Sequence, residues 1–307
     1  MRLVFMGTPD FAVPTLKALI GKGHDVAAVF TQPDKPVGRK QILTPPPVKC
    51  EAEKNGIKVY QPTTLKDGTA YEILKEIAPE IIVVVAYGKI LPKEILDLPK
   101  FKCINGHASL LPRHRGASPI QWSIYCGDKK TGVTTMLMDV GMDTGDMLLS
   151  ATTDITDDDT AETLHDQLSL ICAELVCETV DKIEEITPIP QGEEGVTYAP
   201  IIKKEMGLID FTKTAEEINC LIRAFSGWPV AFFYLFGKRV KVFSANEVKG
   251  DGSVGKVMSS KNEFVVSCGG NTAIKFEKLQ IEGSKPMDAK AFLCGNAVEK
   301  GLSLQEI

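Results

Sequence analysis

The chain has no apolar stretch that could span a bilayer. No unbroken apolar run exceeds seven residues, as in Ile81–Tyr87, whereas a transmembrane helix needs about 20. Cys-x-x-Cys pairs are missing too. Eight cysteines and four histidines are scattered without metal-ligand spacing, so no metal site is expected, and the thiols read as free in a reducing cytoplasm. The run Met1–Gly7 is too short for a signal peptide and reads as a first strand entering a glycine turn. Repeats and low-complexity tracts are lacking, and 44% hydrophobic with 24% charged residues excludes a disordered chain.

A length of 307 residues is long for one core and suggests two domains. The first half alternates short apolar runs (Leu3–Met6, Val26–Thr31, Ile57–Tyr60, Ile81–Ala86, Cys103–His107) with helical patterns (Phe11–Gly21, Val48–Asn55, Ala70–Ile77, Lys93–Asp97). Such alternation predicts an α/β domain with a Rossmann-like, doubly wound, mostly parallel sheet. Ile81–Val85 has no polar alternation, as expected for a strand covered on both faces. Gly116–Gly127 reads as a further helix, Thr131–Asp139 and Met147–Thr153 as strands, and Asp159 as the cap of a long helix with Glu162 as its capping-box partner. Pro, Gly and charge in 187–206 mark a linker between a catalytic domain, 1–186, and a second domain, 207–307. There, a helix (Ala215–Phe225) and five short strand-like runs predict a small antiparallel, OB-like β-barrel.

Charge divides unevenly along the chain. Residues 1–202 hold 20 Lys/Arg against 28 Asp/Glu, and 203–307 hold 15 against 12. A mildly basic tail on an acidic body is compatible with a polyanionic partner.

Chemistry concentrates at one predicted strand end. Asn105 and His107, two positions apart, project from the same face of a strand, and ligands of parallel sheets collect at the strands' carboxyl ends. Asp143 follows the next strand-like run. Acyl transfer to an amine needs a donor for the carbonyl oxygen and a group that moves the amine's proton. Asn105 supplies an amide N–H, His107 an imidazole that donates to the oxyanion as imidazolium or shuttles the proton, and Asp143 a carboxylate that orients His107 or relays protons through water; the amine attacks directly, so no nucleophilic Ser or Cys is required. Asp143-Thr144-Gly145 is also an aspartic-protease string, but that chemistry needs two carboxylates sharing a proton and the string occurs once. Gly7-Thr8-Pro9 lacks the later glycines of a dinucleotide fingerprint.

The stretch Asn105-x-His107-Ala108-Ser109-Leu110-Leu111-Pro112-Arg113-x-Arg115-Gly116-Ala117-x-Pro119-Ile120-Gln121 resembles the motif of formyltransferases that use 10-formyltetrahydrofolate. Gly7–Phe11, Thr31–Asp34, Val83–Gly88, Met138–Met147 and Ile222–Phe225 extend the likeness across both domains to the methionyl-tRNA formyltransferase family. That resemblance implies the formyltransferase fold, a translation-initiation enzyme acting on methionyl initiator tRNA, 10-formyltetrahydrofolate as formyl donor, and no metal. It implies Asn105, His107 and Asp143 as catalytic, and folate contacts from Ser109, Leu110, Leu111, Pro112, Tyr87, Gly88, Ile90, Leu91, Asp139, Val140 and Gly141. It further implies that the loop Lys35–Leu43 meets the tRNA acceptor end through Arg39. Lys40, Lys203, Lys204 and Arg223 are the other cations expected toward tRNA. A monomer without membrane attachment is expected. The chain departs from the family pattern at Gly106, where a bulky apolar residue is usual, at His114, in Gly38–Gln41 and in Ser226–Pro229.

Overall fold

A computed structural model describes residues 1–38 and 40–304, and the chain forms two compact units. The first holds Met1–Pro119, Lys130–Asp154 and His165–Ala199; the second holds Ile120–Lys129, Ile155–Leu164 and the chain from Pro200. Among the described residues no helix is long and apolar enough to cross a membrane.

The first unit begins with β1 (Arg2–Gly7), α1 (Val13–Gly21) and β2 (Asp25–Phe30). A short hairpin, β3 (Lys35–Val37) and β4 (Ile42–Thr44), then precedes α2 (Pro47–Lys54), β5 (Val59–Tyr60), α3 (Thr69–Ile77), β6 (Ile81–Val85), α4 (Lys93–Leu96) and β7 (Cys103–His107). Strands β8 (Lys130–Leu137) and β9 (Met147–Asp154) and helix α6 (Ala161–Asp181) follow, while α5 (Pro119–Tyr125), between β7 and β8 in the chain, belongs to the second unit from Ile120 onward. The central sheet runs β5-β2-β1-β6-β7-β8-β9. Its first five strands are parallel, whereas β8 and β9 are antiparallel additions. Strand β6 is buried throughout, which explains its unbroken run of β-branched residues.

Pleating sends alternate residues to opposite faces. Val4, Met6, Ala28, Phe30, Ile82, Val84 and Cys103 form one apolar layer with Ala70 and Leu74 of α3 and Ile95 and Leu96 of α4. Along β7 that layer ends at Cys103, and the next residue on its face, Asn105, is half-buried. On the opposite face, an added Cβ at Gly106 would lie 2.7 Å from Cys172 Sγ and 3.0 Å from Val176 Cγ2, both on α6. The volume usual at this position is supplied here by the helix, which accounts for the glycine.

Two expectations from sequence shift. The helix expected over Gly116–Gly127 spans only Pro119–Tyr125, because Gly116 has φ 129° and the Ser118 N–H donates to Ala199 O at 3.1 Å. Long helix α6 is capped by Thr160 instead of Asp159: Thr160 and Thr163 bond reciprocally, N–H to Oγ1, at 2.9 and 3.3 Å. Asp159 accepts from the Thr156 and Thr163 hydroxyls. Residues 187–199 lie in the first unit and are bonded into it, with Met147 and Ile189 exchanging two backbone hydrogen bonds of 2.8 Å.

In the second unit, α7 (Ala215–Ala224) precedes β10 (Ala231–Leu235), β11 (Lys238–Lys249), β12 (Val257–Ser259), β13 (Phe264–Ser267), β14 (Thr272–Ile281), β15 (Met287–Asp288) and α8 (Ala289–Gly295). The antiparallel sheet runs β10-β11-β14-β13-β12, and β15 pairs with β14. Its core is aromatic: Phe211, Phe233, Phe264, Phe276 and Phe292 are buried and meet edge-on or stacked. Thr214 and Glu217 cap α7 with a reciprocal box.

Candidate active site

Strand β7 carries Asn105 and His107 side by side on the face turned away from α6. Across the ladder, Asn105 pairs with Met136 and His107 with Thr134, so these two residues of β8 lie beside them on that face. His107 is nearly buried, at 6% exposure. Its Nε2 lies 3.0 Å from the His114 carbonyl oxygen. A carbonyl only accepts, so Nε2 carries a hydrogen and Nδ1 remains for chemistry.

Asp143 lies on the connection from β8 to β9, and its Oδ2 is 3.8 Å from His107 Nδ1. That exceeds a direct hydrogen bond and falls within ion-pair range. The same oxygen accepts the Gly116 backbone N–H at 2.8 Å. Asp143 has φ 54°, a left-handed conformation that Asp tolerates better than most residues. The three polar groups singled out from sequence are thereby brought together: two by a strand, the third by a loop folded over it.

The residues expected toward folate divide by exposure. Ser109 is fully buried. Its hydroxyl donates to Arg113 O at 2.6 Å, and its carbonyl accepts from Thr134 Oγ1 at 2.8 Å. Thr134 Oγ1 in turn accepts the Leu111 N–H at 3.1 Å. Leu111, Tyr87 and Leu91 are buried, and Leu110 and Pro112 are half-buried. Burial pushes the Tyr87 phenol well above its ordinary range. Asp139 builds its own turn, accepting from Gly141 N–H at 3.0 Å and from the Thr144 hydroxyl at 2.7 Å. Gly88, Ile90, Val140 and Gly141 are exposed. Ile90 at 78%, Val140 at 73% and Met142 at 64% leave large apolar side chains in water on the two loops where the resemblance expects the pterin.

Among the expected tRNA contacts, Arg39 lies outside the described residues. Lys40 is exposed in the β3–β4 turn, and Val37, Ile42 and Leu43 beside it are exposed as well. The base of this hairpin is anchored: Lys49 Nζ donates to both Asp34 oxygens at 2.9 Å, and Gln61 Nε2 to Asp34 Oδ1 at 2.7 Å. The Gln61 amide, and after it the Lys49 ammonium, hold the Asp34 carboxyl below its usual range. Gln32 joins this anchor to the folate-side loop by donating to the Tyr87 and Gly88 carbonyls at 3.1 Å. Lys203 and Lys204 are exposed. Arg223 spends its Nη1 on the Thr156 and Asp159 carbonyls, at 3.1 and 2.9 Å, within the second unit.

Sequence reasoning missed Thr134, Gln191 and Thr197, although each bonds directly to a loop of the site. Thr134 looked like one more β-branched strand residue. The other two lay in a segment with the composition of a linker, and no periodicity or charge pattern distinguishes them.

An α/β unit with this strand end, followed by an antiparallel β unit, defines the class of formyl transferases. Residues 1–180 match the family model described as Formyl transferase, and residues 201–297 that of Formyl transferase, C-terminal domain. The methionyl-tRNA formyltransferase of Caldanaerobacter subterraneus subsp. tengcongensis is 49% identical over 99% of this chain and 100% of its own length. That of Geotalea uraniireducens is 47% identical over 98% and 97%. The chain belongs to the methionyl-tRNA formyltransferase family. Among solved structures, WlaRD, a sugar 3N-formyl transferase, aligns with TM-score 0.69 at 20% identity over 93% of this chain and 99% of its own. The methionyl-tRNA formyltransferase from Clostridium thermocellum aligns with TM-score 0.58 at 24% identity over 80% and 93%. At these identities the structural likeness is one of fold.

Proposed function

We propose that this enzyme transfers the formyl group of 10-formyltetrahydrofolate to the α-amine of methionyl initiator tRNA. The observation that carries the reading is the approach of His107 Nδ1 to the Asp143 carboxylate, 3.8 Å apart, beside an Asn105 amide on the same strand face. The donor and acceptor rest on the family, whose relatives carry the name methionyl-tRNA formyltransferase.

Each residue has a distinct task. Asn105 offers an amide N–H to the formyl oxygen as it gains negative charge. His107 Nδ1 takes the proton the amine loses as the new C–N bond forms, and returns it to the departing folate nitrogen as the old C–N bond breaks. Asp143 gives a proton held on Nδ1 a nearby carboxylate and keeps the ring turned toward the reacting atoms. Formyl-folate supplies the activated one-carbon unit. Ile90, Val140 and Met142 become covered as the flat ring system binds, excluding water from the chemistry. Arg39, Lys40, Lys203 and Lys204 supply cations for phosphate contacts with the acceptor RNA.

The test is formylation of charged initiator tRNA by the purified chain. His107→Ala is expected to lower kcat on the order of 10²- to 10⁴-fold, the usual contribution of a positioned acid–base group. A near-unchanged rate would overturn the assignment. Arg39→Ala should raise KM for tRNA and leave KM for folate unchanged, and tRNA affinity should fall as salt rises.

A further inference from the structure

The segment 187–199 does more than connect. Gln191 reaches the Asp143 loop with its side-chain amide. Its Nε2 donates to Asp143 O at 2.9 Å and to Gly145 O at 2.7 Å. Its Oε1 accepts from Arg115 Nε at 3.0 Å and Nη2 at 2.8 Å. Both amide hydrogens and both oxygen lone pairs are therefore engaged. The orientation is also unambiguous: a guanidinium only donates, so the oxygen must face Arg115, and the carbonyls only accept, so the nitrogen must face them.

These bonds act where the backbone is least able to hold itself. Asp143 is in the left-handed region at φ 54°, a conformation that persists only when surroundings over-determine it. Gln191 grips the carbonyls on both sides of Thr144. At Gly145, an added Cβ would overlap the Leu137 carbonyl oxygen at 1.7 Å, so only glycine fits where the loop passes the end of β8.

Arg115 carries the constraint onward. Its N–H donates to Thr197 O at 2.9 Å, and its carbonyl accepts from Ala199 N–H at 2.7 Å. The next residue, Gly116, supplies the N–H that holds Asp143 Oδ2. Thr197 Oγ1 accepts the His114 N–H at 2.8 Å, and the His114 carbonyl faces His107 Nε2. One strap thus touches the backbone of Asp143, the donor to its carboxylate, and the residue that orients the imidazole.

We infer that Gln191, clamped by Arg115, is a positioning residue that sets the Asp143 carboxylate against His107 for formyl transfer. The inference rests on Asp143 acting in that reaction. Without the clamp, the Asp143 loop relaxes from its left-handed turn and the carboxylate leaves the imidazole. The cations assigned to tRNA lie on other segments and stay in place, whereas Val140 and Met142 share the loop and move with it.

The experiment is a kinetic cycle with Gln191→Leu, Asp143→Asn and the double variant, each assayed for kcat and both KM values on charged initiator tRNA. Gln191→Leu should lower kcat by about 10- to 100-fold, the scale of an ångström-level misplacement. KM for tRNA should stay within a factor of about three, KM for formyl-folate should rise by less than kcat falls because Val140 and Met142 share the loop, and the pH–rate profile should shift, which a merely structural role would not cause. In the Asp143→Asn background the same substitution should change kcat less than about threefold, because residues acting as a unit are not additive. Normal kcat in Gln191→Leu beside an impaired Asp143→Asn would overturn the positioning role and leave Asp143's role standing. Multiplying losses in the double variant would overturn it also. A fully active Asp143→Asn would sink the catalytic reading itself, and the inference with it. Should Gln191→Leu fail to fold, Gln191→Glu serves the same cycle: it keeps an acceptor for Arg115 and loses both donors to the loop.

Discussion

Gly106 separates Asn105 and His107, the two residues of β7 proposed to act in the reaction, and its substitution by alanine tests the packing behind them. The backbone there is ordinary extended strand with no positive φ, so alanine meets no conformational penalty. It gains about 0.4–1 kcal/mol by restricting the unfolded chain. Against this, the new methyl would sit 2.7 Å from Cys172 Sγ, 3.0 Å from Val176 Cγ2 and 3.5 Å from Val85 Cγ2. Cys172 and Val176 are fully buried, and the Thr15 hydroxyl lies 3.8 Å from the Cys172 sulfur, so neither side chain has open space to enter. Overpacking of this kind costs roughly 1–3 kcal/mol. The difference spans roughly 0–2.6 kcal/mol, about 1 kcal/mol of lost stability at mid-range for Gly106→Ala, or roughly 2–4 °C in Tm for a unit of this size.

The decisive comparison adds Cys172→Ala. That change alone removes one buried heavy atom and costs about 1 kcal/mol. In combination, the methyl introduced by Gly106→Ala takes the place of the sulfur, and the double variant should be no less stable than Cys172→Ala. A coupling of about 1–2 kcal/mol between the two sites follows, readable from denaturant unfolding of the four proteins. Activity should follow the same pattern. Gly106→Ala displaces Asn105 and His107 and lowers kcat, and Cys172→Ala restores much of it. If Gly106→Ala cost the same with and without the Cys172 sulfur, the clash would not be the reason for the glycine.

Two further outcomes follow from buried polar groups. Burial lowers the pKa of His24 from its ordinary 6.5 and outweighs the opposing pull of Asp181, whose Oδ1 lies 3.2 Å from Nε2. Folding therefore favours the neutral ring: its contribution is present above about pH 6.5 and is lost as pH falls through the depressed folded value. The melting temperature should decline from about pH 7 toward about pH 5, and His24→Gln should flatten that decline; an equal slope in both proteins would contradict it. Thr134→Val strands the Ser109 carbonyl and the Leu111 N–H, both bonded to its hydroxyl. A cost of about 1–3 kcal/mol is expected, with KM for formyl-folate rising more than KM for tRNA.

What the sequence makes legible here depends on how locally each feature is specified. The strands of the first unit are readable because buried parallel strands are unbroken apolar runs, as in Ile81–Val85, and because turn residues punctuate them. Asn105 and His107 are readable as a pair because the strand period alone puts them on one face. The hairpin Lys35–Val37 with Ile42–Thr44 is not readable: its exposed Val37, Ile42 and Leu43 have no alternation against a core, and its placement depends on Asp34, Lys49 and Gln61, contributed by separate segments. Helix α8 escaped notice for a related reason. At seven residues, Ala289–Gly295 is too short for its period to register.

The Asp143 side of the site marks the limit more sharply. Strand β8 runs antiparallel to β7, with Leu137 opposite Ile104, so the loop that follows leaves beside the start of β7, away from His107. A rule that places ligands at strand carboxyl ends accounts for His107 and gives no reason for Asp143 to arrive. It arrives because the loop folds back over the sheet face and is held there by a residue 48 and 46 positions away in sequence, through the Gln191 bonds to Asp143 and Gly145. Closing a loop of that length costs only slightly more than closing a short one, so nothing in local composition must announce it. The contact is specified by hydrogen-bond complementarity between one amide, one guanidinium and two carbonyls. Polar side chains that satisfy backbone groups at long range leave no periodic trace, and for that reason a segment with the composition of a linker can be part of the machinery that aligns a carboxylate with its histidine.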